Sequence, residues 1–264
     1  MLLLDLTTLL PIFLTILFGV ISLIIGLSVK RLRNAQRRKA ALQTAETHGL
    51  AFSENDNFGL APQLKAFELF RHSRRRWRWN NSSRVSNVLR GQVGDTEVFQ
   101  FDYSYVISTG KSARRVSQTV FFANDKQWSL PDFRLRPEQW WHKVLAILGV
   151  DNDIDFPENP DFSKKFHLSS SLEQIARTKF GPELQKFLLA GPRIHLEGNN
   201  YYLIAYHPRK LLKGEDSSLF YERCCQLTAL LKGQEKQDFL DLTELKRPEI
   251  AAPIRLQNTS AKKD

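Results

Sequence analysis

Cysteine is nearly absent from this chain of 264 residues: there are two, adjacent, at Cys224 and Cys225. Adjacent thiols give neither a disulfide framework nor a CxxC metal pair. Their scarcity fits a reducing compartment. On a helix, Phe220, Cys224, Leu227 and Leu231 share one stripe, so Cys224 reads as a core residue. The histidines at 48, 72, 142, 167, 195 and 207 make no HxxxH or HExxH pair, so no zinc site is indicated. No G-x-S-x-G elbow occurs either. The sequence therefore implies no cofactor, no metal ligand and no catalytic residue.

Two partial motifs fail on spacing. Gly110-Lys111-Ser112 matches the end of a phosphate loop, but the Gly needed five positions earlier is Tyr105. A strand pattern follows the Ser where a helix is required. The triplet reads as a hairpin loop with a basic tip of Lys111, Arg114 and Arg115. Residues 151–156 (DNDIDF) begin like a calcium loop, but its sixth position is Phe156 and its twelfth Phe162. The bland alternative is a helix exit followed by a segment shaped by Pro157 and Pro160.

Acids are missing from two stretches. Residues 30–39 hold Lys30, Arg31, Arg33, Arg37, Arg38 and Lys39, and residues 71–79 hold Arg71, Arg74, Arg75, Arg76 and Arg78. The net charge is +10, and these cations account for all of it, leaving a nearly neutral body. A high isoelectric point of this origin is poor evidence for nucleic-acid binding.

Charge of either sign is missing from residues 6–29, a run of 24. At ~1.5 Å per residue it spans ~36 Å, more than the ~30 Å hydrocarbon core of a bilayer. Only Asp5 precedes it and no small-residue cleavage site closes it, so a retained transmembrane anchor is expected rather than a signal peptide. The cations that follow place the body on the cytoplasmic side and the N-terminus outside. They also lie where anionic headgroups are, so Lys30, Arg31, Arg33, Arg37, Arg38 and Lys39 are candidate lipid contacts. Thr15, Gly19, Ser22 and Gly26 share one helical face and make self-association conceivable.

Past the anchor, residues 34–47 read as a helical stalk stopped by Gly49. A short helix is expected over 60–70. Strands follow at 84–89, 96–106 and 116–122; Phe99, Phe101, Tyr103 and Tyr105 share one face of the second. Pro137 opens an expected helix to Leu148, with Trp140, Trp141, Val144, Leu145 and Leu148 on its apolar side. Further helices are read at 170–179, with a Ser170–Glu173 capping box, at 183–189 and at 218–231. Residues 198–200 (GNN) signal a hairpin turn. After Gly233 the chain turns polar and is read as a mostly disordered tail, with one helical turn at 239–245.

Arg74-Arg75-Arg76-Trp77-Arg78-Trp79 is the candidate interaction patch. Its readings are alternation between core and water, a membrane-interface contact, or a stacking surface for single-stranded nucleic acid. A stalk that holds the patch near a bilayer favours lipid over nucleic acid.

The blocks GLAF (49–52), VLRGQVGDTEVFQFDYSY (88–105), QTVFF (118–122), LPDFRLRPE (130–138), DIDFPENPDFSKKFHL (153–168) and YYLIAYHPRK (201–210) resemble a group of uncharacterised bacterial proteins. These have an N-terminal membrane segment and a cytoplasmic domain of unknown function. The resemblance covers residues 45–231. It implies a bacterial plasma membrane and brings no activity with it.

The expected architecture is α+β: a transmembrane anchor (1–29), a basic stalk (30–48), a cytoplasmic domain of antiparallel hairpins and packed helices (49–233) and a tail (234–264). The expected role is a binding or adaptor module with membrane lipid and a protein as partners. The rivals are an enzyme assembled around Asp102, Asp132 or Asp153, and a nucleic-acid-binding domain.

Overall fold

The computed structural model describes residues 6–71, 83–108, 112–138 and 153–245. Helix α1 (Leu6–His48) is unbroken over 43 residues and joins the expected span to the expected stalk. Gly49 ends it with φ at 63°, and Leu50 N–H returns to the Ala45 carbonyl at 2.8 Å.

Strand β1 (Ala51–Ser53) follows, then helices α2 (Ala61–Leu64) and α3 (Glu68–Arg71). The single helix expected over 60–70 is thus two. The Asp56 carboxylate caps the first by accepting the Leu60 and Ala61 N–H groups at 2.8 and 2.9 Å. Glu197 takes the Glu68 N–H at 2.7 Å and starts the second. Next come β2 (Ser83–Val93), β3 (Thr96–Ser108), β4 (Ala113–Asn124) and β5 (Leu130–Pro137). The remainder is α4 (Pro160–Lys165), β6 (Phe166–Ser170), α5 (Glu173–Lys179), α6 (Pro182–Leu189), β7 (His195–Asn200), β8 (Tyr202–Tyr206) and α7 (Glu215–Leu245).

The eight strands form one antiparallel sheet in the order β1-β2-β3-β4-β8-β7-β5-β6, so the α+β architecture with antiparallel strands is observed. Alternation along β3 divides the core. Phe99, Phe101 and Tyr103 pack with Phe122, Leu64, Phe67 and Phe70 under α2 and α3. Val98, on the opposite face, packs with Phe121 and with Phe162, Ala176, Leu184 and Leu188 of α4, α5 and α6. The expected stripe of Phe220, Cys224, Leu227 and Leu231 packs α7 onto that same face. Burial raises the Cys224 thiol well above its ordinary value, as suits a core residue.

Several local expectations are corrected. Ser170 ends β6 rather than capping α5. Its hydroxyl accepts the Leu172 N–H at 3.1 Å and donates to the Asp132 carbonyl, and α5 begins at Glu173 with no side-chain cap. Gly198 lies inside β7, opposite Phe133 on β5. A Cβ there would stand 2.1 Å from the Phe133 ring, so glycine lets the ring cross the strand and meet Phe180 edge-on at 5.0 Å. The hairpin turns two residues later, at Asn200 with φ of 53°, and Asn199 pairs with Tyr202.

Pro137 closes β5 opposite Phe166 rather than opening a helix. The rest of that expected helix, with Trp140, Trp141, Val144, Leu145 and Leu148, falls outside the described residues, as does the tail over 246–264. Helix α7 continues through Gly233 to Leu245. Residues 234–245 are polar, but Gln, Glu, Lys and Leu are good helix formers, so polarity alone was a misleading boundary signal.

Candidate functional site

The residue that joins α1 to the sheet is Arg37. One face of the helix beyond the apolar run carries Ala41, Thr44 and Ala45, whose small side chains let the helix lie close against Leu89 of β2. Arg37 is one turn nearer the apolar run on that face. Its Nε donates to Asp102 Oδ2 at 3.2 Å, its Nη2 to Asp102 Oδ1, and its Nη1 to the Leu212 carbonyl. The two side chains retain 14% and 12% of their exposure, so the pair is largely screened from water.

The sheet is built to hold Asp102. The β2–β3 register slips between Ser86 and Leu89, and Asn87 sits in this bulge with φ of 51°. From there its Nδ2 donates to Asp102 Oδ2 at 3.0 Å. Thr119 of β4 donates its hydroxyl to Asp102 Oδ1 at 3.2 Å and accepts the Leu212 N–H at 3.0 Å. Both carboxylate oxygens are thereby occupied, which a buried charge requires. Further along α1, His48 meets Ser218 Oγ at 2.5 Å, and its ring lies 4.8 Å from the Tyr221 ring on α7, tilted by 40°. The cavity between these elements, lined by Arg37, Ala41, Gln100, Asp102 and Thr119, has about 10 Å³. That is the room of one water and not of a metabolite.

The other candidate lipid contacts lie differently. Lys30, Arg31, Arg33 and Lys39 are exposed on α1, and Arg38 pairs with Glu54 at the surface. Arg37 alone of the six is drawn into the domain. Gly19 and Gly26 have open space at their Cβ positions, on the exposed part of α1 that also carries Thr15 and Ser22. Of the hairpin tip, Arg114 and Arg115 are exposed, while Lys111 falls outside the described residues. So do Arg74, Arg75, Arg76, Trp77, Arg78 and Trp79. The hairpin itself is formed, with Ser108 opposite Ala113.

Of the acids proposed for an enzyme, Asp102 is set apart from the other two. Asp102 is on β3 and Asp132 on β5, with three strands between them. Asp153 lies beside β6, where its Oδ1 accepts the Leu168 N–H at 3.0 Å and stands 4.0 Å from His167 Nε2. Burial lifts its carboxyl to about 6; His167 and the Leu168 N–H pull it down, and Asp155 and Glu138 push it further up. In the would-be calcium motif, Phe156 and Phe162 are core rings 5.4 Å apart. Sequence reading also missed two buried acids. Asp125 accepts from Thr96 at 2.6 Å and Lys232 at 3.1 Å, tying α7 to the far end of β4. Burial pushes its pKa up, but these bonds and one from the Gln127 N–H together lower it. Glu197 accepts from Tyr206 Oη at 3.0 Å while capping α3.

Two outcomes follow from this geometry. Arg37→Ala destabilises the full-length chain in detergent micelles by about 3 kcal/mol, because it leaves Asp102 charged and unpaired. The double variant Arg37→Met/Asp102→Leu costs clearly less than the sum of the single changes, by ~1 kcal/mol or more, in chemical denaturation. The second outcome concerns pH. A carboxyl raised on folding contributes its stability below the unfolded pKa, near 4, and loses it as pH rises through about 6. Asp153→Asn keeps an acceptor for Leu168 and removes the charge. Its melting temperature therefore gains on the wild type from about pH 4 to about pH 6 and holds that gain above.

No family model, curated protein or solved structure matches the chain.

Proposed function

We propose that this chain is a single-pass protein of a bacterial plasma membrane, with its N-terminus outside and a cytoplasmic domain acting as a binding or adaptor module. One observation carries the reading: α1 passes without a break from an apolar segment, exposed throughout residues 13–29, into the body of the domain. Phe13, Ile16, Phe18, Leu23 and Ile25 stand out on all sides of this helix, Phe18 with 75% of its surface exposed. Each such side chain gains roughly 1.5–3 kcal/mol on leaving water. Among the described residues, one helix is long and apolar enough to cross a membrane, and this is it. The cations after residue 29 favour the cytoplasmic side for the domain, and the resemblance of the sequence blocks favours a bacterial source.

A module that binds fits the use of the buried charges. Asp102, Asp125 and Glu197 are each spent on holding one element to another. The enzyme reading rests on the Asp153–His167 pair, a carboxyl and an imidazole beside each other at 4.0 Å.

The chain is expected to remain with membranes through an alkaline wash and to need detergent for release. A C-terminal reporter that works only in the cytoplasm is expected to be active. Release without detergent, or activity of a reporter that works only in the periplasm, contradicts the proposal.

A further inference from the structure

The sheet is not equally wide along its length. Strand β8 pairs with β4 only from Val120 to Asn124, and β1 pairs with β2 only from Val88 to Arg90. Past the level of Asp102, residues 83–86, 102–108 and 113–119 continue as a narrow three-stranded ribbon. Beyond Asp102 its described residues (SRVS, YSYVIS and SARRVSQ) include no acid. Its cations, Arg84, Arg114 and Arg115, are all exposed. Arginines on a free strand edge also discourage pairing with other chains, but that role needs no particular direction of projection.

The ribbon has such a direction, fixed by its contacts with α1. Leu50 lies over Gly91, which pairs with Val98 of β3, and Arg37 lies over Asp102. Moving from Leu50 to Arg37, toward the apolar run, therefore moves along β3 from Val98 toward Ser108. The ribbon points where the apolar helix points. The eleven helical residues from Arg37 to His48 rise ~17 Å, while four strand residues cover ~13 Å, so helix and strand cross at a slant. With the same slant, the ~20 Å from Asp102 to Ser108 advances roughly 16 Å along the helix. From Arg37 back to Val29, the last residue of the apolar run, is ~12 Å. The ribbon tip therefore comes within one helical turn, ~5.4 Å, of the end of the run.

Resting on the anchor proposed above, we infer that the β2–β3–β4 ribbon is a second membrane contact, in which Arg84, Arg114 and Arg115 meet the phosphates of anionic lipids around α1. With Lys30, Arg31 and Arg33 on the helix itself, the ribbon gives the protein two points of support on one leaflet. The Arg37–Asp102 pair lies between them. Two supports fix the tilt and rotation of the domain, which one helix does not, and so decide which surface is turned toward partners.

The test places a fluorophore at Ser112→Cys or, as control, at Lys126→Cys, in a Cys225→Ser background that leaves only buried Cys224. These positions flank the two ends of β4, ~36 Å apart. The full-length chain is reconstituted in nanodiscs of phosphatidylcholine with or without phosphatidylglycerol, each carrying a headgroup quencher. In anionic discs the probe at 112 is expected to be quenched several-fold more than the one at 126. Removing phosphatidylglycerol, or introducing Arg114→Glu/Arg115→Glu, is expected to abolish most of the difference. Equal quenching at the two positions in anionic discs overturns the ribbon contact and leaves the anchor standing. A chain that never enters the discs overturns both. A probe at 112 that ignores lipid charge but responds to added single-stranded RNA also overturns the proposal.

Discussion

Arg37 and Asp102 decide how the two unlike parts of this protein are related. The long helix is apolar and exposed over its first half and packs one face against the sheet over its last turns. Without a fixed joint, the domain would hang from a stalk and present every face in turn. The guanidinium removes that freedom by bonding β3 and the chain just before α7 together, through Asp102 and the Leu212 carbonyl. Thr119 closes the same circuit from β4. A largely buried ion pair adds little net stability when its desolvation is counted. Its value here is directional, since it sets the angle at which the helix leaves the sheet.

The same logic recurs at the other buried charges. Asp125 with Lys232 pins the middle of α7 to the end of β4, and Glu197 starts the helix that leads to Arg71. The core around them is made of aromatic and aliphatic side chains on the two faces of the sheet. Charges are therefore concentrated at the joints between elements, where geometry matters more than burial.

Much of the fold was legible in the sequence. The apolar run, the stop at Gly49, the period-two alternation of β3 and the stripe on α7 are all patterns of one element alone. What failed depends on two. Gly198 looks like a turn residue until the Phe133 ring lies across it. Ser170 has the spacing of a cap, but its hydroxyl is engaged by β5 and its own chain. Strands β1 and β6 are short and gain their identity from their neighbours. The joint was hidden for the same reason. Arg37 sits among five other cations, and its distinguishing feature is the small-residue face it shares with Ala41 and Ala45. Asp102 stood out only as one of three acids around which an enzyme could be assembled. Gly110 and Lys111 of the phosphate-loop likeness fall outside the described residues, between β3 and β4, which pair up to Ser108 and Ala113.

The central claim is that the apolar helix and the sheet move as one body. Spin labels at Asn34, between the apolar run and the joint, and at Glu183 on α6 read this directly through their distance distribution in lipid. The account requires a single narrow distribution that broadens in Asp102→Asn. A broad distribution in the unmodified joint, unchanged by that substitution, contradicts it.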